Sequence, residues 1–235
     1  MVKILDCTIR DSGHCTNWNY SDEYIFNFMS DLKSKNINFF EIGYRNYYDR
    51  NNKGVFYYCK PDFLQKFYDK KGKLNLGIMV DTKRYNENDF INANMDYVDF
   101  IRIATHPEKI KETIHIAENL HARNYNVMIQ LMDIKNLLSE HYDLLENWHN
   151  KEILETIYLA DTYGTINTEE LEVIYKKIKS IGYKYISFHA HNKKNLALSN
   201  SKKIIELGAY SIDVAQIGAG INGGNLQYDE LRTVI

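Results

Sequence analysis

His189 and His191 stand two residues apart in the run ISFHAH, and that spacing is the sharpest chemical signal in the chain. Residues two apart on a strand point the same way, so both imidazoles can face one point. With a carboxylate from a neighbouring strand such a pair makes a two-histidine, one-carboxylate set for a divalent cation. Hydrogen-bonded core or rim histidines are the plainer reading of the same spacing. The other candidates are equally two-sided. Arg10 and Asp11, followed by His14, could be the ion pair of a helix entry or part of a charged site. Glu41, Arg45, Arg102, Gln130 and Asp161 each close or follow a short apolar run. The stretch GAGINGGN at 218–225 reads as a flexible turn or as a phosphate cradle. The other histidines, His106, His115, His121, His141 and His149, fall in helical or loop segments.

The elements that must position these groups alternate regularly. Short runs rich in Ile, Val, Leu and Phe lie at 3–7, 38–43, 74–80, 99–104, 127–132, 156–160, 186–191 and 212–216. They have the length and composition of strands covered on both faces. Helical patterns lie between them. Ile110, Ile114, Ala117 and Leu120 share one face of 107–124. Leu171, Ile174, Ile178 and Ile181 share one face of 167–181, with Asn167 and Glu170 set as a capping pair. Gly182 and Gly208 fall just past helix ends, where a left-handed residue is wanted.

This alternation implies a parallel sheet with right-handed crossovers, and eight units fit a closed parallel (β/α)8 barrel of the α/β class. An open doubly wound sheet would bring a G-x-G-x-x-G first turn, which is absent. Catalytic groups of such barrels gather at the carboxyl ends of the strands, where the candidates above fall. The prediction is one barrel domain over 1–235 with a truncated last helix. The segment at 44–60 is a long loop, and its aromatic part at 44–58, with Tyr44, Tyr47, Tyr48, Phe56, Tyr57 and Tyr58, reads either as a cover over a substrate or as a partner surface.

The totals narrow the class. Hydrophobic residues at 44% and charged residues at 26% exclude a disordered chain. The formal charge of −2, from 29 basic and 31 acidic side chains, lacks the basic field of a nucleic-acid binder. Cys7, Cys15 and Cys59 form no CxxC pair, which argues against a disulfide framework or zinc knuckle and for a reducing, cytoplasmic setting. The opening MVKILDCTIRD meets charge too soon for a secretory signal, and no apolar run approaches the roughly 20 residues of a membrane helix.

Five motifs, LDCTIRDSGH, FEIGYRN, LADTYGT, FHAHNKKNLALSNS and IGAGINGGN, span nearly the whole chain. In this order they resemble the DRE-TIM metallolyase superfamily, the HMG-CoA lyase-like enzymes. They look closest to its aldolase branch, the catalytic domains of 4-hydroxy-2-oxovalerate aldolase type. The resemblance implies a TIM barrel and a metal-dependent carbon–carbon lyase. Its substrates would be a small 2-oxo acid, as pyruvate enolate, and an aldehyde. Asp11, His189 and His191 would be metal ligands, and Asn225 matches an asparagine that completes the site. Arg10 would stabilise the enolate oxygen, His14 would be the base, and Glu41 and Asp161 would support catalysis or proton transfer. Arg45, Arg102 and Gln130 are expected on the substrate side. Oxygen and imidazole ligands suit Mn²⁺ or Mg²⁺, with Co²⁺ and Zn²⁺ also accepted.

The pattern departs from the family in places. Ser12 stands where glycine usually follows the aspartate, with Gly13 next, which alters the segment carrying His14. Lys193 and Lys194 partly replace small and apolar neighbours after the second histidine. The aldolases' C-terminal domain is absent from 1–235, so a homodimer and a place in a longer polypeptide both stay open. The alternatives are an acyl-CoA-dependent Claisen-type enzyme of the same superfamily and a silent barrel serving as a binding module.

Overall fold

The apolar runs become strands within two residues of their expected bounds. They are β1 Lys3–Asp6, β2 Phe39–Tyr44, β3 Asn75–Asp81, β4 Phe100–Thr105, β5 Val127–Leu131, β6 Leu154–Asp161, β7 Ile186–Ala190 and β8 Ser211–Val214. In this computed structural model, which describes residues 2–47 and 52–235, each strand pairs in parallel with the next. β1 pairs in parallel with β8, so the expected parallel barrel closes in sequence order.

Register sets which side chains look inward. Leu5 lies opposite both Phe39 and Asp213, Arg102 opposite Met128, and Tyr158 opposite Ser187. Partners across a ladder share a face, and alternate residues on each strand repeat it. One phase therefore lines the interior. Leu5, Phe39, Phe100, Met128 and Tyr158 form its apolar plug. Further along the same phase come Glu41 on β2, Arg102 on β4, His189 on β7 and Asp213 on β8. The opposite phase, with Phe40, Ile78, Ile103, Ile129 and Phe188, packs on the helices.

The helices are α1 Thr8–Thr16, α2 Asp22–Ser34, α3 Pro61–Tyr68, α4 Ile110–Ala122, α5 Ser139–Glu146, α6 Thr168–Ser180, α7 Ala197–Glu206 and α8 Tyr228–Leu231. Their distribution is less regular than the sequence pattern implies. Two fall between β1 and β2. Between β3 and β4 there are only three single 3₁₀ turns, Thr82–Arg84, Glu87–Asp89 and Ala93–Met95. The side chains of Asp81, Asn86 and Asn92 each accept the backbone N–H two residues on, winding the chain into local turns instead of a helix. The predicted helix at 107–124 opens as a 3₁₀ turn and continues as α4. Asn167 and Glu170 cap α6 reciprocally, as their spacing predicts. Gly182 and Gly208 adopt φ of +98° and +92°.

The aromatic loop is a correction. Tyr44, Phe56 and Tyr57 are buried, Tyr44 and Tyr57 as part of a packed wall beside His14 and Phe56 in the core, while Tyr47 is exposed and Tyr48 lies outside the described residues. Phe56 meets Phe63 at 4.9 Å and Phe67 at 5.7 Å, ring centre to ring centre. Burying that apolar area stabilises the fold, which a solvent-facing lid would forgo. Among the described residues no helix is long and apolar enough to cross a membrane.

Candidate metal centre

The β7 pair meets as its spacing predicts. The Nε2 atoms of His189 and His191 lie 3.4 Å apart, and both rings are buried. Their other nitrogens decide the tautomers. His191 Nδ1 is 3.0 Å from the Ile221 carbonyl oxygen, which can only accept, so Nδ1 carries the proton and donates it. His189 Nδ1 is 2.8 Å from Asp213 Oδ2. Burial would raise the Asp213 carboxyl, but Arg102 and His189 hold it below its usual value, so it too accepts. Burial pushes His191 down to about 4, which keeps it neutral near pH 7. With both rings neutral, as metal ligation requires, the two Nε2 lone pairs face each other.

Asp11 completes the set. One ligand atom from each of Asp11, His189 and His191 lies within 4.8 Å of the others, and all three residues are buried. Burial would raise the Asp11 carboxyl. Arg10 overcomes that, with the Asn225 amide adding to it, and holds it at about 2. Asn225 donates to Asp11 Oδ2 and to the Ala219 carbonyl, while its own Oδ1 is buried without a hydrogen-bond partner. Facing lone pairs, an ionised carboxylate and an orphaned amide oxygen fit a divalent cation held by Asp11, His189, His191 and Asn225. Cys7, His189 and Asp213 are also mutually close. Burial pushes the Cys7 thiol far up, and Sγ donates to the Val214 carbonyl, so it offers no thiolate.

Local folding puts these groups in place. The sequence reading assigns Arg10, Asp11 and His14 to the end of the first strand. They lie instead on α1, which begins two residues past β1. Ser12 is absorbed there: its hydroxyl donates to the Thr8 carbonyl at 2.5 Å and meets the Tyr20 hydroxyl at 2.7 Å. A Cβ at Gly13 would collide with the Trp18 ring, whose Nε1 donates to the Arg10 carbonyl at 2.9 Å. The glycine thus lets Trp18 clamp the helix. After β8 the chain turns back on itself. Asn192 N–H donates to Gly224 O at 2.9 Å, and His191 and Asn225 form an isolated antiparallel bridge. The Gly-rich stretch is therefore an arm of the centre. At Gly220, with φ +145°, a Cβ would sit 2.7 Å from Asp11 Oδ2 and against the Asn225 amide.

Charge runs on beneath the ligands. Arg10 Nη1 donates to Asp11 and Nε to Glu41, both at 2.7 Å. Arg102 donates to Glu41 through Nε at 2.7 Å and Nη2 at 2.6 Å, and to Asp213 through Nη1 at 2.6 Å. Asp213 then reaches His189. This chain sets three buried carboxylates, Asp11, Glu41 and Asp213, against two guanidiniums, leaving one negative charge uncompensated in the barrel. Buried charge without a counter-charge is costly, and a cation at Asp11 would restore balance.

The remaining candidates separate. His14 stays by the centre, half-exposed, with Nε2 4.0 Å from Asp11 Oδ1 and its ring 4.9 Å from Trp18. Burial lowers its pKa below the usual value, opposed by Asp11. Arg10 Nη2 is buried without a hydrogen-bond partner and lies beside the Tyr44 side chain. Gln130 is buried on β5 with Oε1 unpartnered. Asp161 accepts the N–H groups of Thr165 and Ile166, fixing the turn after β6; burial raises its carboxyl against those bonds. Two expectations need correcting. Arg102 has every nitrogen engaged beneath the mouth, so it is a strut and not a substrate ligand. Arg45 Nη1 pairs with Asp96 at 2.5 Å while Nε and Nη2 donate to the Cys59 carbonyl, so it ties the β2 loop to the segment before β4. Asp213 escaped the sequence reading, although a lone carboxylate in a strand buried on both faces is itself a signal.

The fold is a closed parallel barrel with two imidazoles, a carboxylate and an arginine gathered at one end. The chain belongs to the HMGL-like family, whose model matches residues 105–235, and so to the aldolase branch of the DRE-TIM superfamily. Two relatives align across nearly the whole chain. Oxaloacetate decarboxylase of Mycobacterium tuberculosis is 23% identical, over 96% of this chain and 67% of that protein. 4-hydroxy-2-oxovalerate aldolase of Carboxydothermus hydrogenoformans is 24% identical, over all of this chain and 70% of that protein. Among solved structures, the N-terminal domain of a candidate aldolase from Bacteroides vulgatus superposes with a TM-score of 0.87 and 27% identity. That match covers 99% of this chain and 78% of that one.

Proposed function

We propose that the barrel over 1–235 is a divalent-metal-dependent aldolase that cleaves or forms the C3–C4 bond of a 4-hydroxy-2-oxo acid, with pyruvate and an aldehyde as its halves. The observation that carries this is the pair of Nε2 atoms 3.4 Å apart beside the ionised Asp11. Asp11, His189, His191 and Asn225 hold the cation, Mn²⁺ or Mg²⁺ by ligand type. A cation there supplies Lewis acidity to a keto oxygen.

The chain's own groups supply the rest. Neutral His14 takes the proton of the C4 hydroxyl. The C3–C4 bond breaks, its electron pair stays on C3 as the enolate, and the C4 carbonyl leaves as aldehyde. A proton delivered to C3 gives pyruvate, and addition runs the same steps backwards. Arg10 directs its unpartnered Nη2 donor at the developing enolate oxygen, while Glu41 and Asp11 hold the guanidinium. Tyr44 walls the same side.

A second reading shares the enolate. Similarity to an oxaloacetate decarboxylase favours loss of carbon dioxide from a 2-oxo dicarboxylate. That reaction removes no hydroxyl proton, so His14 would be idle. The deciding experiment measures Mn²⁺ binding and turnover in Asp11→Ala and His14→Ala. Asp11→Ala should lose both. His14→Ala should bind Mn²⁺ within about twofold of the parent while aldol cleavage falls by about 10² or more. Wild-type Mn²⁺ affinity in Asp11→Ala removes the centre, and decarboxylation undiminished in His14→Ala with no aldol cleavage in the parent selects the second reading.

A further inference from the structure

Two cations stand on the rim beside His14 with no part in the steps above. Lys53 Nζ lies 5.4 Å from the Trp18 ring centre, and Arg84 Cζ lies 5.8 Å from the Tyr57 ring centre. Those rings belong to one aromatic wall. Trp18 meets Tyr57 at 4.7 Å and Tyr44 at 5.8 Å, and Tyr57 meets Tyr44 at 5.7 Å. His14 stands on the same wall, 4.9 Å from Trp18 and 6.3 Å from Tyr44. The candidate base and both cations therefore border one aromatic wall.

Among the described residues Lys53 has no carboxylate within ion-pair reach, and Arg84 only touches Asp81 at 3.9 Å, the far limit of such contact. Arg45, the arginine the sequence would nominate for an anion, is buried against Asp96. Two cations beside a reacting centre, one held by a single long ion pair and the other by none among the described residues, set positive charge at the mouth of a chain whose formal charge is −2. A site for a small uncharged aldehyde gains nothing from that. An oxyanion gains a planar guanidinium fork and a point charge together.

We propose that the aldehyde half of the substrate ends in an anionic group, a carboxylate or a phosphate, which Lys53 and Arg84 hold while its carbonyl carbon lies against His14. The inference rests on the aldol reading and narrows it to anionic acceptors.

The test supplies the full chain with Mn²⁺ and pyruvate and compares succinic semialdehyde and D-glyceraldehyde 3-phosphate with butanal. At least one charged acceptor should exceed butanal about tenfold or more in kcat/KM, and which one does tells carboxylate from phosphate. In the double variant Lys53→Gln, Arg84→Gln that ratio should fall to about one, through KM of the charged acceptor. Arg84→Glu should press it below one. Deuterium uptake into pyruvate, read by mass spectrometry without any acceptor, reports enolate formation separately. Uptake with no preference for charge overturns the anionic subsite alone. Equal losses for butanal and the charged acceptor in the double variant also overturn it, since the cations would then serve pyruvate's own carboxylate. No uptake in the parent removes the aldol reading and this inference with it.

Discussion

His189 keeps its metal-facing nitrogen bare because Asp213 occupies the other one, and Asp213 is held in turn by Arg102. Replacing Asp213 with Asn preserves volume but removes the charge that fixes the ring's tautomer. Mn²⁺ affinity, measured calorimetrically, should fall about 10–100-fold. Unchanged affinity would mean that the imidazole is oriented by packing alone. His14 carries the pH prediction. Burial lowers its pKa from 6.5, so the neutral base persists to lower pH than in a free imidazole, and activity disappears as pH falls through that lowered value. The acid limb of kcat/KM should therefore lie below about 6.5, and a limb centred above 7 would disown His14 as the base. The histidine pair was legible in the sequence because strand period alone brings the rings together. The fates of Arg45 and Arg102 were not. Both follow apolar strands, and only the folded chain brings Asp96 to one and Glu41 with Asp213 to the other.

At the junction of β1 and α1, Asp6 Oδ1 accepts the Thr8 N–H at 2.9 Å, while Oδ2 is buried without a hydrogen-bond partner. Burial outweighs the Thr8 bonds and the Lys35 charge and raises this carboxyl to about 7 from 3.8. The folded state therefore binds a proton that the unfolded chain has released. That contribution is complete below about pH 4 and is lost as pH rises through about 7. Asp6→Asn keeps an acceptor for Thr8 and removes the titration. Urea unfolding at pH 8 should show a gain of roughly 2–4 kcal/mol over the parent, shrinking toward zero at pH 4. A parallel pH dependence in both proteins would exclude Asp6 as the source. The strands themselves were readable because a parallel sheet covered on both faces leaves continuous apolar runs. The start of α1 was not. Its first turn carries Arg10 and Asp11 inward, so its buried face is polar, and a period search for apolar residues passes over it.

The barrel as a whole encloses three carboxylates and two guanidiniums in one hydrogen-bonded chain, and that sum couples cation binding to folding. A ligand bound only by the native state adds about 2.7 kcal/mol at a hundredfold excess over its Kd. For a chain of this size that corresponds to a rise in Tm of about 5–10 °C. Mn²⁺ should produce such a rise, a chelator should reverse it, and Asp11→Ala should abolish it. A shift retained in Asp11→Ala would place the stabilising cation elsewhere on the molecule.

The stretch between β3 and β4, wound only into short turns, leaves Ile91 and Met95 facing water. Elsewhere a helix shields the outer side of the sheet, and its loss there thins the protective layer over two neighbouring strands. Amide protons along that flank should exchange with solvent through local opening well before those of the opposite wall, where α6 and α7 pack together. Since β4 also bears Arg102, opening on the thin side would reach the buried charges from behind, along the flank that supports the centre.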